Sequence, residues 1–298
     1  DNFINKVAIY KDTNTNNAGF AQLDKILIAG GFSSFDGVSR NGVARLNSNG
    51  SLDPTFNPGA GVDPGNTSAN AVEDFAIQPD GKIILVGDFT SMNNQQFNRV
   101  VRLNIDGSVD QSFNALGVGP NARVYGVDLV LAGLTNFVTN IVGTTTNIFT
   151  NRAEFVTKIV IGGEFTSVNS VSRNGVALLD VNGAVDTSTF VNLGSGADNT
   201  VYDVVVSQNA FFQNTGIVIG GAFSTINFQD RRGIARLDAD GNLDETFDPG
   251  AGANDTVFVL AEQANGRFVI GGIFTQYNGT RRVGIARVLA NGKLDTTF

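Results

Sequence analysis

Residues 216–252 read GIVIGGAFSTINFQDRRGIARLDADGNLDETFDPGAG, and the rest of the chain renders the same phrase four more times. The phrase returns around Phe32, Phe89, Phe165, Phe223 and Phe274. Each copy closes on a second phenylalanine, at Phe56, Phe113, Phe190, Phe247 and Phe298. The two are 24 residues apart in every copy except the third, where they are 25 apart. Such constancy means one supersecondary unit used five times, so the fold is read from the unit. Residues common to all copies are expected to build the unit, and function is expected where the copies differ.

Each copy holds four short segments of strand character. The first is an apolar run, at residues 4–10, 72–78, 124–130, 201–207 and 257–263. The second ends in glycine: KILIAGGF, KIILVGDF, KIVIGGEF, GIVIGGAF and RFVIGGIF. The third is RNGVARLN and its relatives, and the fourth is SLDPTF and its relatives. All are rich in β-branched residues and bounded by turn residues. The first pair of segments meets at Pro79-Asp80-Gly81 in copy two and at Ala264-Asn265-Gly266 in copy five. The second pair meets at Asn49-Gly50, Asp106-Gly107, Asn182-Gly183, Asp240-Gly241 and Asn291-Gly292. Asn-Gly and Asp-Gly tolerate the positive φ that a tight hairpin requires. The unit therefore reads as a four-stranded antiparallel meander, with no helical periodicity.

Units of about 50 residues, four-stranded and repeated without helices, fit a β-propeller blade. The alternative, a β-solenoid, has shorter coils without a hairpin at fixed places. The expectation is an all-β chain, a β-propeller of five four-stranded antiparallel blades forming one domain over residues 1–298. The blades fall near 1–57, 58–114, 115–191, 192–248 and 249–298, with a hairpin insert at 131–157 in the third. If the chain is complete, the blades should close into a ring without strand exchange. Both ends coincide with blade edges, so the alternative is one stretch of a longer chain or a larger propeller. Gly30-Gly31 and Gly220-Gly221 are expected to mark a bulge or a close approach between blades.

The run QPDGKIILVGDFTSMNN (78–94), followed by RLNIDGSVDQSFN (102–114), resembles the bacterial delta-60 repeat. The resemblance covers all five copies, hence nearly the whole chain. Copy three departs from it, with Leu178 in place of the usual second Arg and the insert splitting its first hairpin. The resemblance implies a propeller from a large secreted or surface-attached bacterial protein, and it implies no common catalytic activity. The chain does not resemble WD40 or kelch repeats: it has no tryptophan and a different signature phrase.

Composition narrows the chemistry. With a net charge of -8 and no basic cluster, nucleic-acid binding is not expected. There is no cysteine and no histidine, which removes thiol nucleophiles, Ser-His-Asp triads and zinc sites built on these residues. No apolar run is long enough to span a membrane, so membrane insertion is not expected. Low charge with abundant Asn, Thr, Ser and Gly suits an extracellular, cell-surface or virion-surface setting.

Several motifs suggest chemistry, and each has a plainer reading. The GGEF at 162–165 matches a cyclic-nucleotide synthase signature, but other copies read AGGF, VGDF, GGAF and GGIF, so Glu164 fills a variable slot. Asp238, Asp240, Asn242 and Asp244 alternate as calcium ligands would, in a run that lacks the EF-hand Gly and Glu placement. The plainer reading is an Asx-stabilised turn without cofactor or metal. An Asp recurs in the fourth segment, at Asp53, Asp110, Asp186, Asp244 and Asp295. An Arg opens the third, at Arg40, Arg99, Arg173, Arg231 with Arg232, and Arg281 with Arg282. Their joint repetition predicts structural pairing within or between blades. The third position of the first segment breaks the symmetry, with Lys6, Asp74, Gly126, Asp203 and Val259. Asp74 and Asp203 would face each other across a central channel, the minimum for glycoside chemistry, or else form an ordinary polar lining.

The loops between first and second segments vary most, and all emerge on one face. The insert of copy three carries Leu134, Phe137, Val138, Ile141, Val142, Ile148 and Phe149 around GTTTN (143–147), which predicts an extended hairpin arm. Exposed apolar side chains on such an arm would need a partner, unless it folds over its own blades. The expected function is a non-enzymatic structural or adhesive module that binds a protein, a glycan or neighbouring subunits through this face. A virion fibre or decoration protein is a second version, and a propeller glycosidase using channel carboxylates is the alternative from another class.

Overall fold

The computed structural model describes residues 2–11, 24–63, 72–114, 117–142, 145–188, 196–208 and 214–298. The side chains of 134–153, 208 and 214–215 lie outside the description. Every regular element among the described residues is a β-strand.

The fold is all-β, with one antiparallel sheet for each of the five repeats. The inner strands are Ile4–Tyr10, Val72–Ile77, Val124–Val142, Val201–Gln208 and Val257–Glu262. The middle strands are Lys25–Gly30, Ile83–Gly87, Thr145–Gly163, Asn214–Gly221 and Phe268–Gly272. The third strands are Val43–Leu46, Val100–Leu103, Val176–Asp180, Ile234–Leu237 and Ile285–Val288. In each sheet the middle strand lies between the other two.

The expected fourth strand is reduced to one bridge per blade: Leu46 with Leu52, Leu103 with Val109, Leu179 with Val185, Leu237 with Leu243 and Val288 with Leu294. The repeated Asp explains the difference. Asp53 Oδ1 accepts hydrogen bonds from the Thr55 amide and hydroxyl. The Phe56 amide donates to the Asp53 carbonyl. The chain therefore turns inward at this Asp and drives Phe56 into the core, where it is fully buried.

A second, smaller hairpin joins the middle and third strands, and the sequence reading did not anticipate it. Its turns carry positive φ at Asp36-Gly37, Asn93-Asn94, Asn169-Ser170, Asn227-Phe228 and Asn278-Gly279. The linker leaving each blade bridges onto this hairpin of the next, through Val62 with Met92, Pro120 with Val168, Ala197 with Ile226 and Ala253 with Tyr277.

The glycine pair does mark a bulge. The register of every inner strand slips at its start, for example between Val201 and Asp203. A Cβ on the facing Gly221 would run into the Thr200 carbonyl and the Phe223 ring. The residue before it marks the blade interface: a Cβ on Gly220 would meet Leu260 and Val257 of the next blade.

Inner strands pack side by side from blade one through to blade five. Among the described residues, the inner strands of blades five and one do not pack in this way, and apolar residues on the two end faces are exposed. The ring expected of a complete chain is not seen, and the five blades follow one another as an arc. Most of the hydrophobic clusters draw on two adjacent blades, so neighbouring blades share their cores.

Candidate functional site in the central cavity

The inner strands converge on a cavity of about 430 Å³ whose lining includes Lys6, Asp74, Asp128 and Asp203. The strand bulge puts the third position of the segment on this lining. Asp74 and Asp203 therefore share one cavity, as the channel reading expects. Asp128 and Lys6 join them. Asp128 sits two positions further along its strand, where no other copy carries an acid, so a search of the third position alone passed over it.

The carboxylates are tied to backbone. Asp74 Oδ1 accepts from the Phe75 amide at 2.8 Å, and its Oδ2 accepts from Val127 of the next blade at 3.1 Å. Asp128 accepts from Leu129 at 2.8 Å and from Val206 of the next blade at 2.7 Å. Asp203 accepts from Val204 at 2.9 Å and from Leu260 of the next blade at 2.6 Å. Each acid thus receives one amide of its own strand and one of its neighbour's, satisfying backbone donors that would otherwise face the interface unpaired. Blade one reaches blade two differently, with Asn5 donating to the Val72 carbonyl and Lys6 pairing with Asp74 at 2.8 Å.

Burial pushes all three acids upward. It raises Asp74 against the opposing pull of Lys6. It lifts Asp128 to about 6, with the Asp74 charge adding to the effect. It lifts Asp203 to about 7, again with a contribution from Asp74. Burial disfavours the Lys6 ammonium, but the Asp74 carboxylate more than offsets this and its pKa rises.

The repeated aspartates pair with a different arginine from the one expected. Asp53, Asp110, Asp244 and Asp295 accept from Arg45, Arg102, Arg236 and Arg287, which lie inside the third strand. In copy three Leu178 takes this place, and Asp186 pairs with Lys158 at 2.6 Å. Of the opening arginines, Arg173 keeps the expected partner by donating to the Asp186 carbonyl at 3.1 Å, and Arg99 pairs with Asp88 at 3.8 Å. Arg40, Arg173 and Arg282 each donate to the carbonyl of the preceding residue, and Arg99 donates to the Pro120 carbonyl. Arg232 takes the position that Asn41 holds in copy one, and its neighbour Arg231 is the counterpart of Arg40.

The proposed calcium run is a hairpin turn. Asp238 Oδ1 accepts from the Asp240 and Asn242 amides, while Asp244 faces Arg236. No group of three or more His, Cys, Asp or Glu among the described residues could hold a metal ion. Glu164 accepts from the Tyr125 hydroxyl at 2.5 Å.

The arm of copy three is an ordered ladder. Pairing runs without a gap from Leu131 with Val156 to Val142 with Thr145. The third strand of that blade reaches only to Lys158, so the arm has no third neighbour within its sheet. The side chains of Leu134, Phe137, Val138, Ile141, Val142, Ile148 and Phe149 lie outside the described residues.

A family profile described as a domain of unknown function (DUF5122) β-propeller matches residues 24–56, 78–113, 158–188, 213–247 and 263–298. The chain belongs to this family. No curated protein matches the sequence. A protein of unknown function from Bacteroides caccae, known from a crystal structure, is similar over 91% of this chain and 76% of its own. The identity is 14% and the TM-score 0.38.

Proposed function

We propose that this member of the DUF5122 β-propeller family is a non-catalytic structural and binding module of an extracellular or surface assembly. The observation that carries the reading is the state of the cavity acids. Each has both carboxylate oxygens bonded to backbone amides, one of them in the next blade. A general acid or nucleophile needs an oxygen turned towards substrate. These acids act as staples between blades.

Partner recognition then falls to the parts that differ between copies, above all the arm at 131–157, with a protein or a glycan as partner. The resemblance to delta-60 repeats supports a secreted or surface-attached bacterial setting, and a virion fibre would present the same architecture. The test is incubation of wild type and Asp203→Asn with a panel of oligosaccharides, followed by mass spectrometry of the products. The reading expects no cleavage by either. Cleavage that Asp203→Asn abolishes would replace it with the glycosidase reading.

A further inference from the structure

We propose that the outward face of blade five receives the inner-strand face of blade one from a second copy of this chain. The two faces are the unmatched halves of an interface that the molecule already builds between its own blades. Within the arc, Gly220 and Gly233 of blade four lie against Val257, and Gly220 also lies against Leu260. Gly162 and Gly175 of blade three lie likewise against Val201 of blade four.

In blade five the counterparts Gly271 and Gly284 meet only atoms of their own blade. Ile285 is 51% exposed where Ile234 is 0%. At the other end, Ile4 and Val7 are the counterparts of Val257 and Leu260, and Val7 is 57% exposed where Leu260 is 5%. Ile9 extends the same exposed stripe.

Blade five is also more apolar there than a repeat requires. Ile273 stands where other copies have Gly31, Asp88, Glu164 and Ala222. Val283 stands where they have Asn41, Asn98, Asn174 and Arg232. Val259 replaces the cavity acid. All three are exposed, and contiguous apolar surface of this kind marks an interaction site.

The polar staples fit the same occupant. Arg45, Arg102 and Arg236 each donate Nη1 to a turn carbonyl of the following blade, at Ile105, Val181 and Ala290. Arg287 makes the equivalent bonds within its own blade, to Asp295 and Thr297. In the assembly its remaining nitrogen would reach the Ser48 carbonyl of the second copy, the counterpart of Ile105. A contact of this kind is heterologous, so it closes a ring or propagates.

Sedimentation velocity over a concentration series tests the proposal. Wild type should form dimers or larger species as concentration rises. Val7→Asp and Ile285→Arg should each run as monomers with unchanged melting, since neither side chain is buried in the single chain. An equimolar mixture of the two should recover a dimer, because it contains one intact donor face and one intact acceptor face. If either variant melts early, Ile9→Asp or Val283→Arg takes its place. A wild type that stays monomeric throughout, or a mixture that does, overturns the proposal.

Discussion

Arg45 joins two blades: its Nε donates to Asp53 Oδ2 at 2.8 Å and its Nη1 to the Ile105 carbonyl of the next blade at 2.7 Å. Its guanidinium also lies over the rings of Tyr10 and Phe56, at 4.8 and 4.9 Å from their centroids. The same Arg, Asp and Phe recur in copies two, four and five. One arginine thus closes its own blade and fastens the following one.

Asp53→Ala should therefore destabilise strongly. The Asp53 side chain is almost fully buried, and its removal leaves the buried Arg45 guanidinium without a counter-charge. Breaking a buried pair of this kind costs about 3 kcal/mol or more. Asp244 is better solvated, so Asp244→Ala should cost only about 1–2 kcal/mol. Chemical denaturation of the two variants checks the order, and equal losses would contradict it.

The bulge glycines should tolerate no side chain. Gly221→Ala sets a methyl group against the Thr200 carbonyl, which accepts from the Ala222 amide at 2.9 Å. Overpacking of this kind costs about 1–3 kcal/mol. A melting temperature unchanged from wild type would show that the inner strand moves aside freely.

Stability should fall as pH rises through the range set by the cavity acids. Asp128 and Asp203 have folded pKa values of about 6 and about 7, above the ordinary value of 3.8. Between these limits the folded state holds more protons than the unfolded one, so the contribution is complete below about pH 4 and is lost as pH climbs towards 7. Shifts of this size place the combined effect on the order of a few kcal/mol. The opposite holds for Asp53 and Asp110. Burial works against their charged forms, but hydrogen bonds from Thr55 and Arg45, and from Lys82 and Ser112, outweigh it and depress both values. Their contribution is lost as pH falls below the ordinary carboxylate range. Denaturation between pH 4 and 8 should show a decline that Asp128→Asn and Asp203→Asn each flatten. A flat wild-type profile would contradict the assignment.

The arm should be dispensable for folding and needed for partner binding. Its ladder of 12 residue pairs extends about 40 Å at the usual rise of ~3.4 Å per residue. An ordered arm docks without a large entropic penalty. Deleting residues 134–152 and joining the ends with Asn-Gly should leave stability within about 1 kcal/mol of wild type and abolish partner capture. Unchanged capture would make the insert merely architectural.

The repeat was legible because five copies of Asn-Gly or Asp-Gly turns and paired phenylalanines leave little freedom in the topology. The fourth strand was overread, since hydrophobic alternation in SLDPTF does not reveal that Asp53 folds the chain onto Thr55. The partner of that Asp was misread for a related reason. Arg40 and Arg45 both recur, and only the register of Leu27 with Arg45 shows which one turns towards Asp53. The cavity acids Asp74 and Asp203 were visible as breaks in the repeat. Asp128 and the cross-blade amides were not, because blade-to-blade geometry leaves no trace in the spacing within one copy.

The central claim is that the cavity acids hold blades together, and amide exchange measures this directly. In Asp203→Ala, the Leu260 amide loses its acceptor while Val127 and Val206 keep theirs on Asp74 and Asp128. The account predicts that exchange accelerates selectively at Leu260, at least tenfold, and leaves Val127 and Val206 near wild type. Unaltered protection at Leu260 would contradict it.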